Sequence, residues 1–459
     1  MAALWDDAYG LLYPAQTTGL YKDKKSHQRT TSGSEGSSGS TTTTGTTTIA
    51  AAPAPGHHHP HTWLAARPRS RMLQSKLGRY LLLLAASAAL LYVWRSGTAA
   101  ASTMLFCPAS SACSSTGERA DALAGYKHRG EKGCNVSSLE LLLLPSGGEE
   151  EEGEEEGACG DRRSALEAMS SGGRAGRDAP YRPRGCGMRW FTTEQACEVL
   201  GRFGQVVLVG DSMTRHVMGA LNVILREDLG YGGVTDWNFS EGERSTCFCN
   251  KQFDVRDCSV QGIFSTADVL KHDPLSLVCP RIIPNWSTDL RIEQMVRYPI
   301  PEEERRRLAR AIDADPSRRK AFVLGHGLWN NLDVEQSTAW TDTVLATIDA
   351  RLRMRMRLRT MGRHGKGGGG GGRNMPVLLM TPNAAGERKP DEWIVSQGNK
   401  ALVRFERAMA AVAARRRIDH LGTWNMSIQA TLYDGVHMDM RGNLLKAMMV
   451  LNWLDLLET

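Results

Sequence analysis

The chain has 459 residues and a formal net charge of +6, from 56 Lys and Arg against 50 Asp and Glu. The excess is modest and spread over several segments, which argues against a nucleic-acid partner. Residue usage is so uneven along the chain that length overstates the domain count, and one long globular domain is expected.

Residues 1–76 carry a Ser/Thr/Gly tract from Thr30 to Thr48 and a histidine cluster from His57 to His61, with few aliphatic side chains to bury. A disordered cytosolic tail is expected there. The texture changes at Leu77. Tyr80 to Trp94 reads YLLLLAASAALLYVW without a charge. With Leu77 and Gly78 it reaches about 18 residues, the lower limit for spanning a hydrocarbon core of about 30 Å. A transmembrane signal anchor over 77–95 is expected, of a length suited to the membranes of the endoplasmic reticulum or Golgi. Arg67, Arg69, Arg71, Lys76 and Arg79 precede the apolar run and only Arg95 follows closely, so the positive-inside bias leaves the rest of the chain lumenal.

Two features agree with a lumenal location. The glycosylation acceptor triplets begin at Asn135, Asn238, Asn285 and Asn425, all beyond the apolar run. So do all the cysteines, Cys107, Cys113, Cys134, Cys159, Cys186, Cys197, Cys247, Cys249, Cys258 and Cys279, as an oxidising compartment favours. Their pairing cannot be read from spacing. Cys247-Phe-Cys249 with Cys258 and His272 could be read as zinc ligands, but disulfides fit that compartment better, and no metal is expected.

From Ser96 to Pro180 a low-complexity stalk is expected, since Ser, Ala and Gly dominate and Glu149 to Glu156 is a self-repelling acidic run broken only by Gly153. A folded domain is expected from Tyr181 to the end. Gln205–Gly210 (QVVLVG) reads as a strand buried on both faces, followed by a helix over Met213–Arg226. Ala321–Gly325 and Pro376–Met380 repeat the strand pattern, and Thr338–Met354, Ser396–Arg417 and Arg441–Leu457 carry helical spacing. This alternation predicts a three-layer α/β/α sandwich around a central parallel sheet. Residues 365–374 read as a glycine-rich surface insertion. The alternating arginines at 351, 353, 355, 357 and 359 read as a helix end grading into a solvated loop rather than a polyanion-binding strip.

Gly210-Asp211-Ser212 falls at the junction of the first core strand and its helix, on the edge of a parallel sheet where ligands bind. Alone, it suits a helix cap as well as a nucleophile. A serine hydroxyl needs a base to remove its proton, and Asp434-Gly-Val-His437, just before the last helix, supplies a histidine with a carboxylate to orient it. Found together in that order, the two motifs point to catalysis.

On Gly210-Asp211-Ser212 with Arg215, and on Asp434-x-x-His437, the domain resembles an SGNH (GDSL-type) hydrolase. It is most similar to the branch of PC-esterase domains, plant trichome-birefringence-like wall O-acetyltransferases, and capsule and sialate O-acetyltransferases. The resemblance spans roughly Arg184 to Leu457 and takes in a middle segment, His326-Gly327-Leu328-Trp329-Asn330, after a core strand. It implies Ser212 as nucleophile, His437 as general base and Asp434 as its orienting carboxylate. It also implies an oxyanion and substrate set drawn from Asp211, Arg215, His326, Gly327, Trp329 and Asn330, with the Ser212 N–H. A further glycine donor is left open among Gly232, Gly233 and Gly262.

Tail, anchor, stalk and lumenal domain together resemble a Golgi glycan-modifying enzyme. The expected activity is O-acyl transfer, most simply O-acetyl transfer to a polysaccharide or glycan acceptor. The alternatives are an SGNH-type carbohydrate or lipid esterase and a non-catalytic glycan-binding module. No cofactor is expected to stay bound; an acetyl donor, such as acetyl-CoA or an acetylated intermediate, would be a co-substrate. A single span gives a cytosolic donor no route inward, so a separate donor supplier is an expected partner beside the membrane.

Overall fold

A computed structural model describes residues 121–123, 134, 136–143, 157–314, 319–360 and 375–457. The chain divides into two units, Met1–Cys113 and Ser114–Thr459, and all described residues belong to the second. The expected tail, the anchor at 77–95, the glutamate run, the glycine insertion and Asn135 lie outside the described residues. Among the described residues no helix is long and apolar enough to cross a membrane.

Chain order gives α1 (Arg162–Ser171), α2 (Thr193–Gly201), β1 (Gln205–Gly210), α3 (Ser212–Arg226), β2 (Asp289–Gln294), α4 (Glu302–Asp313) and β3 (Lys320–Gly325). Then come α5 (Val334–Thr360), β4 (Val377–Met380), α6 (Asp391–Gln397), α7 (Asn399–Arg416), β5 (Asp419–Leu421) and α8 (Met440–Asp455), with shorter helical turns between. The strands form one five-stranded parallel sheet in the order β2-β1-β3-β4-β5.

The alternation of side chains along each strand divides the core in two. Val206 and Leu208 of β1, Ala321 and Val323 of β3, and Leu378 and Met380 of β4 face a core shared with α1, α2, α3 and α8. Val207 and Val209, Phe322 and Leu324, and Val377 and Leu379 face the other, with α4, α5 and α7. Helices thus cover both faces, as all-parallel sheets require, and the expected three-layer architecture is present.

Two strands had no clear sequence signal. β2 (DLRIEQ) is an edge strand whose partly exposed positions are polar, and β5 has only three residues.

The fold also starts before Tyr181. Asp161 caps α1 by accepting from the N–H groups of Arg163 and Ser164, and Ala165, Leu166, Ala168 and Met169 form its buried face. Residues 157–180, read as stalk from their small-residue content, therefore belong to the domain. Tyr181 is fully buried and its hydroxyl donates to the Met169 carbonyl. Disulfide Cys159–Cys186 ties this segment down, and Cys134–Cys249, Cys197–Cys279 and Cys247–Cys258 bring the disulfides among the described residues to four. The Cys-x-Cys pair is thus engaged in disulfides, while His272 stacks on Trp237 with ring centroids 4.7 Å apart.

Asn238 and Asn285 are exposed. Asn425 is not placed for glycosylation: its amide donates to the Ser170 carbonyl at 2.8 Å, and Ser427 of the same triplet is fully buried. A glycan on that nitrogen would displace the contact that docks α1.

At the carboxyl end of β1, a Cβ on Gly210 would lie 2.2 Å from the Gly325 carbonyl oxygen and 2.6 Å from the Thr214 hydroxyl. Gly210→Ala should therefore destabilise the domain by roughly 3 kcal/mol or more in urea unfolding. Unchanged stability would show that β1 and β3 can separate there without penalty.

Candidate active site

Ser212 is the first residue of α3, directly beyond β1. The sheet order reverses direction at β1, whose neighbours are β2 and β3, so this serine sits at the topological switch point where open α/β sheets bind ligands. Asp211 precedes it as the N-cap, its Oδ1 accepting from the Met213 N–H at 3.0 Å. The first-turn N–H groups of α3 carry the positive end of the helix dipole to the serine.

His437 arrives from the opposite end of the domain. Its Nε2 lies 2.6 Å from Ser212 Oγ, and its Nδ1 lies 2.6 Å from Asp434 Oδ2. Asp434 Oδ1 accepts from the N–H groups of Val436 at 2.9 Å and His437 at 2.8 Å, closing a turn that fixes carboxylate and ring together. Gly435 permits this turn: its φ is +83°, and a Cβ there would come within 2.1 Å of the Lys389 nitrogen. The loop after β4 grips the same turn, as Gly386 N–H donates to the Gly435 carbonyl at 3.0 Å and the Asn383 amide to the Val436 carbonyl at 2.9 Å.

The imidazole has two aromatic neighbours. Tyr433 stacks at 5.9 Å between ring centroids and His216 lies at 5.0 Å. Burial works against the Asp434 charge, yet the hydrogen bond and charge of His437 with the two backbone N–H groups hold its carboxyl below the ordinary range. Burial drives His216 well below the ordinary histidine range, and the charges of His437, Arg215 and Lys446 act in the same direction, so it is neutral.

Of the residues singled out from sequence, the structure brings Ser212, Asp434 and His437 into one hydrogen-bonded chain, with Asp211 and Arg215 on the same helix turn. Arg215 is 7% exposed and its Nε has no hydrogen-bond partner.

The middle segment is held elsewhere. Asn330 Oδ1 accepts from the Tyr298 N–H at 3.2 Å, and its amide donates to the Tyr298 carbonyl and to Gln336. That amide is committed away from an oxyanion. His326 stacks on Trp340 and its Nδ1 meets Ser337 Oγ at 3.1 Å, burial lowering its pKa to about 4. Gly327 packs beneath Phe405, and Trp329 lies on the adjoining 3₁₀ turn. The hydrogen bonds of Asn330 and His326 described above do not reach Ser212, Asp434 or His437.

Two of the open glycines are also engaged, Gly232 N–H with the Asp228 carbonyl and Gly233 N–H with Gln252. Gly262 lines a cavity of about 10 Å³ with Arg215 and His216, room for a single small group.

Sequence reasoning missed three neighbours. His216, four residues after Ser212, was legible from helical spacing. Lys446 stood out as the lone charge in LLKAMMVLNWL. Asp254, in a short helix that no motif marked, was not legible.

No protein-family model matches the chain, and no curated protein matches it. Among solved structures the chain is similar to Est24, a carbohydrate acetylesterase from Sinorhizobium meliloti. That similarity has a TM-score of 0.28 and 12% identity, covering 54% of this chain and 96% of that one.

Asp254 gives the site a testable pH signature. Burial, then the charges of Asp439 and Asp434, raise its carboxyl from 3.8 to about 6. The folded state therefore keeps a proton that the unfolded chain has released, and stability falls as pH rises through this window. Asp254→Asn should raise the melting temperature more at about pH 8 than at about pH 5. An equal effect at both values would show that this carboxyl does not titrate there.

Proposed function

We propose that the domain forms and breaks acyl esters through Ser212, transferring an O-acetyl group to a glycan hydroxyl. The observation that carries this reading is the chain Ser212 Oγ, His437 and Asp434, joined at 2.6 Å and 2.6 Å. In it, Ser212 Oγ attacks the ester carbonyl while His437 Nε2 takes its proton, and Asp434 orients and stabilises the resulting imidazolium. The tetrahedral oxyanion is met by the Ser212 N–H and the amino end of α3. Collapse expels the alcohol, protonated by His437, and leaves Ser212 acylated. An acceptor hydroxyl, deprotonated by the same imidazole, then attacks the acyl-serine and restores the enzyme.

Water can take the acceptor's place, and the same residues then perform hydrolysis. The 19% exposure of the His437 side chain and the 42% exposure of Asp434 favour keeping this second reading. The proposed setting is the lumen of the Golgi or endoplasmic reticulum, behind the anchor expected at 77–95. The four disulfides among the described residues support an oxidising compartment.

A fluorophosphonate probe should label the lumenal domain, and Ser212→Ala should abolish labelling; an unlabelled folded wild type would refute the catalytic reading and favour a binding module. His437→Ala and Asp434→Asn should each lower kcat on a chromogenic acetyl ester by roughly 10³-fold or more. With oligosaccharide acceptors present, acetate should appear on the sugar. Release as free acetate whatever the acceptor would assign the domain as an esterase.

A further inference from the structure

Arg215 and His216 follow Ser212 by three and four residues at the start of α3. They are 7% and 3% exposed, yet Arg215 Nε and His216 Nδ1 have no hydrogen-bond partner. A guanidinium keeps its charge, so burying one without a counter-charge is costly. Two carboxylates of the segment that carries His437 are spent elsewhere, Asp434 on His437 and Asp439 on Arg441.

Both side chains line the cavity of about 10 Å³, which has room for a single small group. The other polar side chains in its walls are already satisfied. Gln252 Oε1 accepts from the Gly233 N–H at 2.6 Å, and the Gln252 amide donates to the Leu229 and Gly230 carbonyls. The Ser259 hydroxyl donates to the Arg256 carbonyl at 3.0 Å. Phe253 and Ile263 add buried apolar wall. A guanidinium and a neutral imidazole are the side chains left to hold what enters, and both have N–H groups to donate.

Two donors, one of them charged, call for an anion, and the volume narrows its class. A carboxylate or a sulfate brings several oxygens and their central atom, more than this cavity admits. The oxyanion of acyl transfer forms on a carbon bonded to Ser212 Oγ, and neither Ser212 nor His437 is a wall of the cavity. A monatomic halide meets the size, the charge and the donors together.

We infer that this cavity binds one halide-sized anion, chloride above all, held by the Arg215 guanidinium and the His216 Nδ1–H. Bound there, the ion offsets a cation that bears on His216 and Tyr433, the two rings beside His437. The site does not depend on the reading of Ser212 as nucleophile.

The test is thermal unfolding of the purified full chain, with sodium chloride replacing sodium gluconate at constant ionic strength. The melting temperature should rise by about 2 °C or more once chloride reaches ten times its Kd, and should keep rising with the logarithm of its concentration. Bromide should act like chloride, and sulfate should not. Arg215→Gln and His216→Phe should each require about tenfold more chloride for the same rise, whereas Ser212→Ala should respond as the wild type does. A melting temperature indifferent to chloride, an equal rise with sulfate, an undiminished response in Arg215→Gln, or a lost response in Ser212→Ala overturns the proposal. If neither cavity variant folds, wild-type crystals soaked in bromide decide. An anomalous peak within hydrogen-bond distance of Arg215 and His216 supports the site, and no peak in the cavity overturns it.

Discussion

Where β1 and β3 end, Gly210 pairs with Gly325, and the Thr214 hydroxyl of the following helix occupies the space that two side chains would fill. This close approach sets the depth at which α3 begins. It places Ser212 at the sheet edge with its N–H at the positive end of a helix dipole. The switch point between β2 and β3 leaves that edge open, and the turn carrying His437 has only to reach it. A bulkier residue at Gly210 would lift the first turn of α3 and break a 2.6 Å contact to an imidazole anchored independently of it.

Anchoring of that imidazole is local and redundant. Asp434 accepts from two N–H groups of its own turn as well as from the ring, and two partners from the loop after β4 hold the turn's carbonyls. Lys446 on α8 and Asp211 just before α3 are both 2% exposed, and the two helices pack on each other.

Much of this was legible in the sequence because it rested on local patterns. QVVLVG specifies a strand buried on both faces, and Asp-Gly-Val-His a tight turn with its glycine where φ is positive. Both ends of the hydrogen-bonded chain could be named from such patterns. The polar residues from His326 to Asn330 look available in the sequence, and only tertiary structure shows Asn330 bound to Tyr298 and His326 packed on Trp340. Residues 157–180 were read as stalk from their composition, although the spacing of Ala165, Leu166, Ala168 and Met169 marks a helix with one buried face. β2 was not visible because edge strands carry polar residues that periodicity does not separate from loop.

Ser212 and His437 are 225 residues apart in sequence, and the helix that follows His437 is buried along nearly all its length. During synthesis Ser212 emerges well before His437 and α8. Until they do, Ser212 lacks its hydrogen-bond partner and the first core lacks the helix that covers it. The hydrogen-bonded chain and the completed first core therefore arrive together.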